Sequence, residues 1–229
     1  MSRLLAIDTS GDACSAALWC DGVVTEQFAL TPRDHTRLIL PMVDTLLGQA
    51  GLALRQLDAI AFGRGPGSFT GLRISAGVVQ GLAFGAGLPV VPVSSLAAVA
   101  QPALRAHPGA RALVCMDARM GEAYFAAYEW HGAARLLGAE LLAPLADVPV
   151  AQCMAADRVL LALGSGWPLL TRDPALAAAA FAVMEPAALP RAAAIAELAA
   201  AAWRRGESVP AHQVEPAYLR EQVAWQKGG

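Results

Sequence analysis

Lysine is almost missing from this 229-residue chain. Lys227 is the only one among 17 basic residues; the others are arginines. Set against 19 acidic residues, they leave a formal net charge of −2. No general basic field for tRNA or DNA follows from that balance. Charge as a whole is scarce, at 16 % of residues, where an average soluble domain carries ~25 %. Disorder is excluded, because 56 % of the residues are hydrophobic and can bury enough surface to offset ordering entropy. The four cysteines, Cys14, Cys20, Cys115 and Cys153, form no C-x-x-C pair. A zinc ribbon, a thioredoxin motif and a disulfide-stapled miniature fold are thereby excluded, leaving reduced, buried thiols of a cytosolic protein. The alanine excess and the preference for arginine read as genomic bias rather than chemistry.

Several catalytic signatures are missing too. The four histidines, His35, His107, His131 and His212, lie far apart, and none has a histidine partner at i+4. No set of converging zinc ligands is visible, so no metal site is expected. No G-x-S-x-G elbow marks a hydrolase serine. After Arg3 the apolar run stops at Asp8, short of the ~7–15 residues of a signal-peptide core. From Ile74 to Leu104 no residue is charged, a stretch longer than the ~20 residues of a spanning helix. Yet Gly85, Gly87, Pro89 and Pro92 interrupt it. It reads as helix, strand and helix in a soluble core, with no membrane span.

What is present is a regular order of elements. Arg3 to Asp8, Cys14 to Cys20 and Val23 to Leu30 predict an antiparallel meander, with Asp21-Gly22 as a two-residue hairpin turn. The stripe Leu38, Ile39, Met42, Val43, Leu46, Leu47 predicts a helix over about Asp34 to Gln49. Asp34 is its expected N-cap, Pro41 an expected kink, and Gly48 and Gly51 its end. Ala59 to Phe62 is a short strand, Gly63 to Gly71 a glycine-rich loop and Phe69 to Phe84 a helix. Pro89 to Val93 is a strand, and Ser94 caps a helix to about Arg105. The order β-β-β-α-β-α-β-α is the pattern of a ribonuclease-H-like unit. The expected fold is α/β and actin-like (ASKHA), with two such lobes, the second degenerate. Residues 1–105 form the first lobe and 106–229 the second plus a tail returning over the surface. In the second, strands are read at Ala112–Asp117, Ala123–Trp130, Arg135–Leu142 and Arg158–Leu163, with helices near Leu145–Met154, Pro174–Phe181 and Arg191–Arg204.

Three constellations carry the candidate chemistry. Gly63-Arg64-Gly65-Pro66-Gly67-Ser68-Phe69-Thr70-Gly71 joins a strand to a helix, where backbone N–H groups can hold an anion. It has neither the Gly-Lys-Ser/Thr of a P-loop nor the third glycine of a dinucleotide fingerprint. A tight turn that needs glycine is the other reading. Asp8-Thr9-Ser10-Gly11-Asp12 could hold magnesium through water, or be a polar turn. Its counterpart, Asp117-Ala118-Arg119-Met120-Gly121-Glu122, carries bulk where a phosphate cradle wants small residues. Tight ATP binding by this chain alone is therefore not expected. Finally, Gly77, Gly81 and Gly85 stand at i, i+4, i+8 on one helix. Each costs ~1 kcal/mol of helix stability relative to alanine, and close approach by another helix is a reason to bear it. That helix could be Asp34–Gln49, the chain's own sheet or another chain.

The strings Leu4 to Ser10, His35-Thr36 to Met42, Gly63 to Arg73, Asp117 to Glu122 and Glu215 to Arg220 resemble the bacterial TsaB (YeaZ) family over nearly the whole chain. The resemblance implies a non-catalytic subunit that binds and organises TsaD, with TsaE. That complex makes threonylcarbamoyladenosine beside the anticodon of tRNAs reading codons that begin with A. It implies pairing through the helices of the first lobe, which assigns Leu38, Met42, Leu46, Arg73, Gly77 and Gly81 to the partner interface. Without TsaD the same face is expected to form a homodimer. Where TsaD has its metal-binding His-x-x-x-His, this sequence has Ser95 and Val99. No cofactor is expected on the chain alone. ATP or ADP is expected only within the full complex, with weak contacts from Asp8, Thr9, Ser10, Gly65 and Gly67. tRNA is expected only indirectly, and the location is cytoplasmic. Two alternatives stand beside this: an ATP-dependent kinase or ATPase of the actin-like class, and a tRNA-binding module using Tyr218, Arg220, Trp225 and Lys227.

Overall fold

The computed structural model describes residues 2–31, 33–154, 158–170 and 181–220. Strands β1 (Arg3–Asp8), β2 (Ala13–Cys20), β3 (Val23–Leu30), β4 (Ala59–Gly65) and β5 (Val90–Ser94) form one sheet, in the order β3-β2-β1-β4-β5. Strands β6 (Arg111–Arg119), β7 (Glu122–Trp130), β8 (Ala134–Pro144), β9 (Leu160–Leu163) and β10 (Val183–Glu185) form a second, in the order β10-β9-β6-β7-β8. In each sheet the first three strands are an antiparallel meander and the last two join in parallel. The same topology therefore occurs twice, as the duplicated element order predicts.

The turn chemistry follows the residues. Asp21 and Gly22 both have positive φ, 49° and 97°, as the β2–β3 hairpin requires. Helices α2 (Phe69–Ala86) and α3 (Ser95–Ala106) are capped by Ser68 and Ser94, whose hydroxyls accept the N–H of Gly71 and Ala97. Helix α1 (His35–Ala50) ends at Gly51, in the left-handed region at φ 64°.

Some expectations fail locally. Asp34 stands at the N-cap of α1, but its carboxylate pairs with Arg37 at 3.4 Å instead of capping a backbone N–H. The helix runs on through Pro41, and Gly48 lies inside it rather than at its end. The helix predicted near Leu145–Met154 splits into a 3-10 turn, Leu145–Asp147, and a short α4 (Val150–Cys153). Pro149 causes the split, since it disfavours helical backbone at Val148, which is extended. Helix α5 (Trp167–Leu170) and strand β10 were not legible in advance. Of the helix predicted over Pro174–Phe181, residues 174–180 lie outside the described residues, and Phe181 is not helical.

Layering explains the composition. Helices α1 and α2 cover the outer face of the first sheet through Ile39, Val43, Leu46, Ala76, Val79 and Ala83. Between the two sheets lie α3 and α6 (Ala192–Arg204). Helix α6 rests on β1 and β2, while α3 rests on β6 and β8. Both are buried over most of their girth, through Ala97, Ala98 and Ala100 on α3 and Ala194, Ala196, Ala199 and Ala200 on α6. The alanines of this middle layer thus have a packing role, and the reading of alanine as bias alone is corrected there. The outer face of the second sheet holds Phe125, Val150 and Trp167. Strands β1–β5 lie in the first sheet and β6–β10 in the second, while α6, Ala211 and Val214 pack on the first sheet. Among the described residues no helix is long and apolar enough to cross a membrane.

The glycine stripe on α2 presents open Cβ positions, with Arg55 Nη2 donating to the Gly85 carbonyl at 3.3 Å at its far end. A Cβ built at Gly77, Gly81 or Gly85 has no atom within 4 Å. Alanine at any one of these is expected to stabilise the isolated chain by about 1 kcal/mol, read as a higher urea midpoint at unchanged slope.

Candidate functional site

The glycine loop and the β1–β2 turn are pressed together, backbone on backbone. A Cβ at Gly71 would lie 1.9 Å from the Thr9 carbonyl oxygen, and one at Gly67 would lie 2.4 Å from that of Ser10. At Gly63 it would reach 2.0 Å from Asp8 Oδ1. Ser68 N–H donates to the Ser10 carbonyl at 2.8 Å, and the Thr9 hydroxyl donates to the Gly71 carbonyl at 2.7 Å. Glycine is thus required here for close approach of the chain to itself, the structural one of the two readings of this loop. Gly65 has a further reason, at φ 108°.

That packing buries two of the expected nucleotide contacts. Asp8 and Thr9 are both 0 % exposed, covered by the loop, and do not reach the cleft. Gly65 lies against the Ala217 carbonyl and the Leu72 side chain. Ser10 and Gly67 do line the cleft. Burial pushes the Asp8 carboxyl up to about 7; the Ser10 hydroxyl and N–H, both bonded to Oδ2, pull the other way. Asp8 Oδ1 has no hydrogen-bond partner among the described residues.

The cleft itself, about 850 Å³, opens between the two lobes. The first lobe contributes Asp12, Ser68, Phe69 and Arg73; the second contributes Asp117, Arg119 and Tyr124; the C-terminal segment contributes Tyr218 and Arg220. Below it a buried network ties the lobes. Glu140 accepts from Tyr128 OH at 2.9 Å and from the Ser94 hydroxyl, and pairs with Arg64 at 3.3 Å. Burial, then the Glu140 charge, holds the Tyr128 phenol well above its usual range. Glu140 and Tyr128 had no signal in the sequence, since each sits in an ordinary strand pattern. Ser95 and Val99 are both buried, and the Ser95 hydroxyl has no partner among the described residues. Among those residues no group of three His, Cys, Asp or Glu gathers as for a metal ion. His35 is buried, with its Nε2 3.0 Å from the Gly11 carbonyl.

Five of the six predicted interface residues, all but Leu46, reach the surface of α1 and α2. Arg73, Gly77, Gly81 and Gly85 form a single exposed ridge of α2 at fourfold spacing. On the adjoining α1, Leu38 and Met42 are half-buried, and Leu40 is exposed. Leu46 is a correction: at 1 % exposed it faces the sheet and belongs to the core. Its place in the apolar stripe could not show which part of the stripe points inward.

A family model described as "TsaD: tRNA N6-adenosine threonylcarbamoyltransferase" matches residues 21–153. The Escherichia coli K12 protein named "tRNA threonylcarbamoyladenosine biosynthesis protein TsaB" is 42 % identical over 98 % of this chain and 97 % of its own length. The chain belongs to the TsaB (YeaZ) family. The TsaB-named protein of Haemophilus influenzae is 39 % identical over 98 % of the chain and 96 % of its own length. The solved structure of YeaZ from Pseudomonas aeruginosa superposes with a TM-score of 0.88 at 44 % identity, covering 96 % of this chain and all of that one. For this TsaB-family chain the two-lobed α/β, actin-like fold is thus supported by sequence and by shape together.

Two predictions follow from the loop packing. Gly71→Ala is expected to destabilise the fold by ~1–3 kcal/mol, because buried backbone rather than a movable side-chain tip opposes the new methyl. Asp8 has a folded value of about 7 against an ordinary 3.8, so the folded chain holds the proton more tightly than the unfolded one. Stability then falls as pH rises from 3.8 through about 7. Asp8→Asn removes that loss. Its melting temperature is expected to exceed the parent's at pH 8, with the gain shrinking toward pH 5.

Proposed function

We propose that this chain serves tRNA threonylcarbamoyladenosine biosynthesis as a non-catalytic subunit that binds and organises TsaD, together with TsaE. The observation that carries this is the bare ridge Arg73–Gly77–Gly81–Gly85 on α2, flanked by Leu38 and Met42 of α1. Among the described residues the Cβ positions of these three glycines face open space, which leaves room for another molecule. A flat ridge lets a partner helix come close along its whole length. In the absence of TsaD, two copies of this chain pair through the same face. Support for a non-catalytic role comes from the site: Ser95 and Val99 are buried and stand where the transferase's metal ligands are implied, and Asp8 and Thr9 are sealed by the glycine loop. Contact with tRNA runs through the complex, which suits a chain of net charge −2. The cytoplasm is the proposed location.

The interlobe cleft favours a second reading, an ATP-dependent enzyme of the actin-like class. Against it, the cleft mouth mixes Asp12 and Asp117 with its arginines, and the backbone of the glycine loop is already engaged by the β1–β2 turn. Calorimetry on the isolated chain with ATP and magnesium is expected to give no binding heat; tight binding would favour the enzyme.

Gly81→Leu adds bulk where the isolated chain has open space, so the fold is expected to survive. Affinity for purified TsaD is expected to drop about thirtyfold or more, the scale of a hot-spot loss. Unchanged co-elution on gel filtration would remove α2 from the interface.

A further inference from the structure

The C-terminal segment ends at the head of the α2 ridge. It first runs along the edge of the sheet, where Val209 exchanges backbone hydrogen bonds with Val90, both at 2.8 Å. Ala217 N–H then donates to the Arg64 carbonyl at 2.7 Å. Tyr218 packs its ring against Phe69, with centroids 5.6 Å apart. Its hydroxyl accepts from Arg73 Nε at 3.3 Å. The Arg73 guanidinium lies over the Phe69 ring, 3.8 Å from the centroid. Two residues on, Arg220 crosses to the other lobe, pairing with Glu122 and donating to the Ala118 carbonyl at 3.2 Å. One short segment thus touches both lobes and the first residue of the ridge.

We infer that Val214–Arg220 is a strap, tied to both lobes, that couples its own docking to partner docking by positioning Arg73. The inference rests on α2 being the partner face. Arg73 is a long, exposed side chain, and ordering it costs rotamer entropy. Tyr218 and Phe69 hold it in one place before a partner arrives, so less is lost on binding. The reverse holds by linkage: a partner that needs Arg73 in that place favours the docked strap. Tyr218 is therefore a positioning residue acting through Arg73.

A double-mutant cycle tests this, with Arg73→Ala and Tyr218→Ala measured for affinity to purified TsaD, and hydrogen exchange followed over residues 214–220. Each single change is expected to weaken binding about tenfold. The double variant is expected to lie within about twofold of the weaker single one, because one interaction is removed twice. Tyr218→Phe, which keeps the ring and loses the hydroxyl, falls between. Strap amides are expected to be better protected in the complex. Multiplicative single effects, or strap protection that stays the same or falls when TsaD binds, would overturn the coupling while leaving the partner face intact. Failure of the parent chain to bind TsaD would instead overturn the partner reading, and this inference with it.

Discussion

The whole molecule depends on two helices fitting between two sheets. Helices α3 and α6 must each present apolar surface on opposite sides, and the sheets must still come near enough to share one core. Small side chains meet that constraint. Alanine gives helix propensity without bulk, and most alanines of α3 and α6 are buried rather than facing water. Because α6 comes from the end of the chain and rests on the first sheet, the lobes are interleaved rather than joined by a single linker. Their relative placement is reinforced by polar ties across the layer. Gln101 of α3 bonds Glu197 of α6 at 3.0 Å and accepts the Ala134 N–H at 2.8 Å. Such buried hydrogen bonds are costly to break singly, since each leaves its partner unsatisfied.

The same need for small residues recurs outside the middle layer, with two different outcomes. In the glycine loop the missing side chains let one backbone rest on another, and the space is filled by the chain itself. On α2 the missing side chains leave space that no described residue fills. A glycine in the first setting protects the fold, whereas one in the second weakens the helix that carries it. The two settings differ physically, although both look alike as strings of glycine.

Most of the architecture was legible because it is written in local periodicity and turn chemistry. The meander, the Asp21-Gly22 turn, the serine caps at Ser68 and Ser94 and the duplicated element order all depend on near neighbours. What was not legible depends on distant partners. The stripe on α1 identifies an apolar face, but its inward edge, which takes Leu46, is set by where the sheet lies. Asp8 looked like a ligand-facing acid because only the tertiary fold lays the glycine loop over it. The Glu140–Tyr128–Ser94–Arg64 network joins four strand residues or strand ends with no shared spacing. Of the tail residues Tyr218, Arg220, Trp225 and Lys227, the first two bond Arg73 and Glu122 in the fold, and the last two lie outside the described residues.

The antiparallel bridge between Val90 and Val209 has a consequence for the margin of the first sheet. Strand β5 is the last in its row, and an uncovered last strand offers free N–H and carbonyl groups to any passing chain. Val209 occupies those groups at Val90, and the turn Ala211–Gln213 then lies alongside α2. Residues 209–213 therefore act as a hem. They block strand addition at that point of β5.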